Sequence, residues 1–447
     1  MSLSRREAIL GGAIAVGGAV ALKAKEALAG QGSSARGWEA SYSGQPQDAR
    51  PERPGEPGKD YTPVVTPNGV ALAYKIVDGA KVFHLTAEEV DHEFAPGLKA
   101  KCWGYNGRVH GPTIEAVEGD RVRIYVTNKL AAPTSVHWHG VFLPNGMDGV
   151  AGLSQPGIKP KETFKYEFTL RQHGTFMYHS HHDEMTQMAL GLMGMFVIHP
   201  RKPNPDYRVQ RDFVMLLSEW DIPAGASRPN PNSMNDFNVL TINAKSFPGT
   251  APLVVKKGDR VRFRFGNLSA MDHHPMHLHG HFFKLVATDG GPIPVSAQVP
   301  ETTVLVPVGS TRDVELIADA PGDWAMHCHM THHVMNQMGH GFPNTTGAKT
   351  ADVDKSVRKL VPGYMTMGQD GMGDMADMKM GVPKNSIPMS GGTGPFGTIT
   401  MGGMFTILKV RESLTSYDAD PGWYKNPAGT VAGVASAADL TKDGIKP

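Results

Sequence analysis

From Val64 to about residue 410, short runs of β-branched and aromatic residues alternate with polar ones and are punctuated by Gly, Pro and Asn. Alternation with period 2 gives a strand one apolar and one polar face, whereas a surface helix needs apolar positions recurring every 3.6 residues. Almost no stretch has the helical period, so the pattern predicts an all-β chain. The pattern also repeats. Gly119-Asp120-Arg121-Val122-Arg123-Ile124-Tyr125-Val126-Thr127-Asn128, a turn and an alternating strand, recurs 139 residues later as Gly258-Asp259-Arg260-Val261-Arg262-Phe263-Arg264-Phe265-Gly266-Asn267. Met193-Gly194-Met195-Phe196-Val197-Ile198 returns as Gly402-Gly403-Met404-Phe405-Thr406-Ile407, the expected closing strand of each copy. Two homologous β-sandwich domains are the simplest account.

The copies differ in length at one place. His181 and Met195 are 14 residues apart but His329 and Met404 are 75 apart, which leaves an insert of about 61 residues. It carries Met365, Met367, Met372, Met375, Met378, Met380 and Met389 among Gly and Asp without periodicity, and predicts an irregular surface loop. The expected divisions are therefore an export signal at 1–29, a flexible arm at 30–62, domains at 63–205 and 206–412 with the Met-rich insert at about 342–400, and a C-terminal tail at 413–447. The signal reading rests on Ser4-Arg5-Arg6, similar to a twin-arginine signal, on the apolar run Ala8 to Ala21, and on the A-x-A cleavage pattern Ala27-Leu28-Ala29. The run is shorter than the ~20 residues a membrane span needs, so a periplasmic or secreted protein without stable membrane insertion is expected. The arm is rich in Gly, Pro and charge and carries too little apolar surface to fold alone; packing on a neighbouring subunit is its alternative role.

Composition excludes some partners. With 44 basic and 43 acidic residues, the chain has no polyelectrolyte character and nucleic acid is not an expected partner. Cys102 and Cys328 are the only cysteines. Cys102, in an apolar strand beside Trp103, reads as a buried structural thiol.

The chemistry concentrates in four His-x-His pairs: His137/His139, His179/His181, His277/His279 and His327/His329. In a strand each pair presents two imidazoles to one side, so four converging strands offer eight nitrogens to one cavity. The segment from His327 to Met338 adds a second ligand set, because Cys328 points to the opposite face, where His333 and Met338 can return from the following turn. A thiolate with imidazoles and a weak axial thioether is a copper ligand set. A histidine-rich strand with a buried thiol is the bland alternative, and the threefold recurrence of the pair elsewhere argues against it.

With His137-Trp138-His139-Gly140, His179-Ser180-His181, His274-Pro275-Met276-His277-Leu278-His279-Gly280 and the 327–338 stretch, residues 62 to 410 resemble the multicopper oxidase family of laccases, ascorbate oxidases and cuprous oxidases. The resemblance implies two tandem cupredoxin-like Greek-key sandwiches. It assigns His274, Cys328, His333 and Met338 to a type 1 copper, and His137 and His277 to type 2. His139, His179, His181, His279, His327 and His329 would take the type 3 pair, giving four coppers per chain. Only 92 residues separate His181 from His274, too few for the middle domain of a three-domain laccase. The two-domain subclass is thus implied, with a homotrimer whose trinuclear clusters lie at subunit interfaces. Ser180 stands where a first-domain type 1 site would need cysteine, so that domain is expected to lack one.

The implied reaction is one-electron oxidation of a small donor, transfer through Cys328 to His327 and His329, and reduction of O2 to water. Asp148 resembles the family's acidic residue near type 2 copper, while an ordinary turn aspartate before Gly149 is the alternative. Val334 stands where the family often has a carboxylate after the last type 1 histidine. Thioethers favour Cu(I), so the insert points to cuprous ion as donor and to copper resistance; phenols, Mn(II) and Fe(II) are alternatives. Two other readings are a copper-containing nitrite reductase, which needs its type 1 cysteine in the first domain, and a non-catalytic copper-sequestering protein.

Overall fold

The two Gly-Asp turns begin equivalent strands in equivalent ways. Gly119 and Gly258 have φ of 86° and 90°, a left-handed conformation that glycine adopts without steric cost. The following aspartate folds back: Asp120 accepts the Val117 N–H at 2.9 Å and Asp259 the Lys256 N–H at 2.8 Å. Strands Arg121–Asn128 and Arg260–Asn267 follow. Each ends in an asparagine that ties down the loop leading to a histidine strand. Asn128 donates to Ala132 and Ile158 carbonyls, and Asn267 to those of Asp272 and Val306. The repeat legible in sequence is thus a repeat of hydrogen bonds. The computed structural model describes residues 51–203, 208–223, 225–337, 355–356, 359–360, 384–389 and 391–446.

Each copy is a sandwich of two sheets. In the first, Tyr74–Val77, Ala80–Ala95, Arg121–Asn128 and Thr163–Thr169 form one sheet in that order, with Leu98–Tyr105 also on Ala80–Ala95. The facing sheet runs Ile114–Val117, Met193–His199, Gly174–His179, His137–His139. In the second, Val239–Ile242, Arg211–Trp220, Arg260–Asn267, Thr311–Ile317 and Phe283–Thr288 form one layer. Leu253–Lys256, Phe405–Arg411, Gly322–Cys328, His274–Leu278 and Thr303–Val306 form the other. The chain is predominantly β, with cupredoxin-like sandwiches in tandem. Among the described residues, no helix is long and apolar enough to cross a membrane.

The sandwich cores explain why the histidines come in alternate positions. Trp138, between His137 and His139, is fully buried in the first core and packs edge-on against Tyr166 with centroids 5.3 Å apart. Leu278 and Cys328, each between two histidines, are buried in the second. The intervening side chain anchors the strand while its neighbours turn to the other face. Burying a side chain of this kind contributes about 1.5–3 kcal/mol.

Three expectations change. Residues 51–62, read as part of a flexible arm, are docked on the first sandwich: Gly55 donates to the buried Asp120, and Tyr61 stacks on His199 with centroids 4.2 Å apart. Their few polar and aromatic groups find partners that a local composition argument does not see. Within the insert, residues 384–389 are not a surface loop, because Ser386 and Ile387 are buried and Asn385 exchanges hydrogen bonds with the backbone of Lys99. Third, strand Arg260–Asn267 alternates only at its start, and its last five residues are all buried. They lie against the first sandwich, where Met177, Met193, Met195 and Val197 pack with Val214, Leu216 and Leu268. The early tail also returns to the second sandwich, with Tyr417 donating to Asp259 and Asp420 paired with Lys409.

Candidate metal centres

The first centre is built from three buried side chains on different segments. His274 opens its strand, Cys328 closes its own, and His333 sits in the turn Thr331–Val334. Strand register sets Met276 opposite Cys328, which brings His274 to the same end of the sheet. The Cys328 Sγ lies 3.8 Å from His274 Nδ1 and 3.4 Å from His333 Nδ1, and the two Nδ1 atoms are 3.2 Å apart. The far nitrogens are engaged: His274 Nε2 meets Ser269 Oγ at 2.7 Å, and His333 Nε2 meets Asp272 Oδ2 at 3.3 Å. A carboxylate accepts, so His333 carries its proton on Nε2 and turns a bare Nδ1 inward. An ion about 2.0–2.3 Å from each of three trigonal ligands would space them about 3.5–3.8 Å apart, close to what these atoms adopt. Burial pushes the Cys328 thiol up to about 12, and burial together with His333 holds His274 well below the usual imidazole range. A cation would reverse the first effect by favouring thiolate.

The second centre is two quartets of imidazoles. In the first domain His137 faces His139, His179 and His181 with ring centroids 5.4 to 5.7 Å away. In the second, His277 faces His279, His327 and His329 at 4.9 to 5.6 Å. Register repeats too, with His137 opposite His179 and His277 opposite His327.

Backbone carbonyls decide which nitrogen carries the proton. His137 donates through Nδ1 to Asp148 O at 2.8 Å, His179 to Ser180 O at 2.9 Å, His277 to Thr302 O at 2.8 Å and His327 to Cys328 O at 2.9 Å. A carbonyl can only accept, so in the neutral ring the bare lone pair is on Nε2 in all four. His179 Nε2 lies 3.3 Å from His139 Nδ1, and His327 Nε2 lies 3.2 Å from His279 Nε2. Burial keeps such rings neutral: it pushes His179 down to about 3 and lowers His139, His279 and His327. Convergent neutral imidazoles are what a copper or zinc ion needs.

Asp148 sits at the end of the turn Asn145–Met147, and its Oδ1 is 3.4 Å from His137 Nδ1. Gly149 makes this approach possible, since a Cβ there would fall 1.7 Å from Val136 O. The structure thus brings together His274, Cys328 and His333, and separately each quartet. Met338 and Met365 to Met380 lie outside the described residues. Ring contacts run within each quartet and, among the described residues, none joins the two.

Several residues escaped the sequence reading. Ser269, Asp272 and Thr302 orient ligands, and Glu219 holds the turn before His274 by accepting the Met271 N–H at 2.6 Å. Burial, then the Asp272 charge, pushes the Glu219 carboxyl up to about 8. In the first domain, Thr134 and Ser180 stand where the repeat has His274 and Cys328. Both donate to Gln187 Oε1, at 2.7 and 2.6 Å, and all three are buried. A neutral polar triad therefore fills the position of a type 1 site. Ser180 was legible in the sequence, and alignment of the two copies was the signal that could have found Thr134 opposite His274.

Two multicopper oxidase family models match residues 86–203 and 223–348, one in each sandwich and together more than half the chain. This chain belongs to the multicopper oxidase family. Copper resistance protein A of Escherichia coli is 30% identical over 353 residues, 65% of this chain and 55% of that protein. A probable nitrite reductase-hydroxylamine oxidoreductase fusion protein of Kuenenia stuttgartiensis is 29% identical over 277 residues, 58% of this chain and 31% of that one. The chain thus spans about half the length, or less, of these curated relatives. The blue copper oxidase of Nitrosomonas europaea is 28% identical with a TM-score of 0.54, over 74% of this chain and 85% of that structure. Within the family, this member offers a His/His/Cys cluster and a three-histidine cluster as candidate copper sites.

Proposed function

We propose that this protein is a copper-dependent oxidase that takes single electrons from a small donor, cuprous ion foremost, and delivers them to O2 with release of water. The supporting observation is the convergence of His137, His139 and His179 on one point and of His274, Cys328 and His333 on another, with His179 and His327 turning Nε2 toward neighbouring imidazoles. His274, Cys328, His333 and Met338 would hold type 1 copper. His137 and His277 would hold type 2, and His139, His179, His181, His279, His327 and His329 the type 3 pair. Bound copper would supply the one-electron chemistry and the reduction of O2.

The protein's own residues supply the rest. Cys328 is bonded in sequence to both His327 and His329, so a short covalent path joins the two kinds of centre. Its N–H donates to Met404 O at 3.0 Å, which fixes the strand end. Asp272, partly exposed beside His333, puts negative charge on the outer side of that ligand and favours a cationic donor. Asp148, beside His137, is within reach to hold a proton for the reduction of O2. Each quartet is half a cluster, so we infer a head-to-tail homotrimer in which His137, His139, His179 and His181 meet the partner quartet of another copy. Residues 1–29 would direct export to the periplasm or beyond the cell.

The copper-resistance relative also favours a second reading, sequestration without turnover. Nitrite reduction is disfavoured by the Thr134, Ser180 and Gln187 triad, which leaves the type 1 position of the first domain without a thiolate. One experiment separates them: copper-loaded protein given Cu(I), Mn(II), Fe(II) or a phenol, with O2 uptake, bound copper and molar mass recorded. Four coppers per chain, a blue band, a trimer and fastest uptake with Cu(I) are expected. Copper binding without uptake on any donor would establish sequestration, and NO release from nitrite without uptake would establish the reductase.

A further inference from the structure

The loop after each His-x-His pair is put to different uses in the two domains. After His327 and His329 it turns inward and delivers His333 to Cys328. After His179 and His181 it makes the short helix Glu184–Ala189. Asp183 enters that helix with φ of 47° and ψ of 54°, a left-handed step that aspartate tolerates better than most side chains. Gln187 pins the helix from within, accepting from Thr134 and Ser180 and donating to Pro133 O at 2.8 Å. The pinned helix aims Glu184 at the first quartet. Its Oε1 lies 3.5 Å from His179 Nδ1 and its Oε2 3.8 Å from His181 Nε2.

We propose that Glu184 is a positioning residue for copper in the first-domain quartet, a carboxylate that orients His179 and His181 together; this rests on the oxidase reading above. The His179 Nδ1–H donates to Ser180 O at 2.9 Å, and the Glu184 carboxylate 3.5 Å away on the same side adds negative charge that favours the proton on Nδ1 and the Nε2 lone pair on the metal side. The same carboxylate faces His181 at Nε2, where it would hold that ring's proton and leave Nδ1 for the ion. A carboxylate behind a metal-bound histidine raises ligand basicity, and losing such a partner typically costs about 10–100-fold in metal affinity. At the corresponding position of the second domain stands His332. The vestigial type 1 position thereby serves its neighbour: Thr134, Ser180 and Gln187 anchor the helix that presents Glu184.

The test uses the full chain as Glu184→Ala and Glu184→Asp variants, titrated with copper against a chelator. The near-ultraviolet band of the coupled copper pair and the blue band are read separately. For Glu184→Ala the expected result is an affinity loss of about 10–100-fold at the coupled pair with the blue band at wild-type strength, and partial recovery in Glu184→Asp. The blue band reports the intact second domain, so it separates loss of positioning from loss of fold. Wild-type affinity and near-ultraviolet band in Glu184→Ala would overturn the role of Glu184 alone. A wild-type chain that takes up copper only at the Cys328 site would overturn the oxidase reading, and the role of Glu184 with it.

Discussion

At Ser269 the tautomer argument becomes testable. Its hydroxyl meets His274 Nε2 at 2.7 Å. Ser269→Ala should free the imidazole to rotate and weaken the type 1 site by about 10–100-fold, while leaving the two quartets unaffected. Chelator titration followed by the blue band measures the loss; an unchanged midpoint would mean that strand packing alone orients His274. The wider point is that His137, His179, His277, His327, His274 and His333 are each half a device. A backbone carbonyl, a serine or an aspartate takes the other nitrogen, and only then does a lone pair point at its neighbours.

Among the strands, Arg260–Asn267 does the most to join the domains. Arg264 is almost fully buried and binds Asp212 through two nitrogens at 2.7 and 2.8 Å, with Asp313 at 3.2 Å. Thr175 of the first domain completes the network by accepting from Arg264 and donating to Asp313. Burial pushes both carboxyls up, but Arg264 and Arg262 outweigh it at Asp212, which is held below the usual range, and not at Asp313. Arg264→Met should leave the buried Asp313 without its cation and Asp212 with only Arg262 at 3.4 Å, and cost about 3–5 kcal/mol in urea unfolding. Adding Asp212→Asn and Asp313→Asn should recover part of that loss. If the single variant is as stable as wild type, the ion network contributes little to joining the sandwiches.

Taken together, the two sandwiches share an acid-sensitive seam. His92 and His110 are buried near it, with His92 against Ala244 O at 2.7 Å and His110 against Ser218 Oγ at 2.8 Å. Burial pushes His92 down to about 4 and His110 down to about 3, from an ordinary 6.5. The unfolded chain therefore binds more protons than the folded one between pH 3 and 6.5, so stability is complete above 6.5 and drains away as pH falls toward 3. Each tenfold difference in proton affinity is worth about 1.4 kcal/mol. Thermal unfolding of the metal-free protein should show Tm falling across this window. His110→Gln should flatten the fall, and an equally steep profile would assign the acid sensitivity elsewhere.

The sequence by itself determined the all-β class, the tandem repeat and which histidines and cysteine would cluster at the candidate sites. Alternation, turn glycines and His-x-His spacing are local properties, and register carries them directly into the sheet. Trp138, Leu278 and Cys328 illustrate this: one residue in the core fixes two histidines on the opposite face. Tertiary structure alone decided what completes each ligand. Ser269, Asp272, Thr302 and Glu184 belong to no pattern of their own, and their value lies in which nitrogen they face. It also decided that residues 51–62 dock and that Arg264 lies inside, because burial there comes from the other domain or from distant chain. A periodicity shows one strand's faces, whereas a buried ion pair or a proton's position depends on every element that surrounds it.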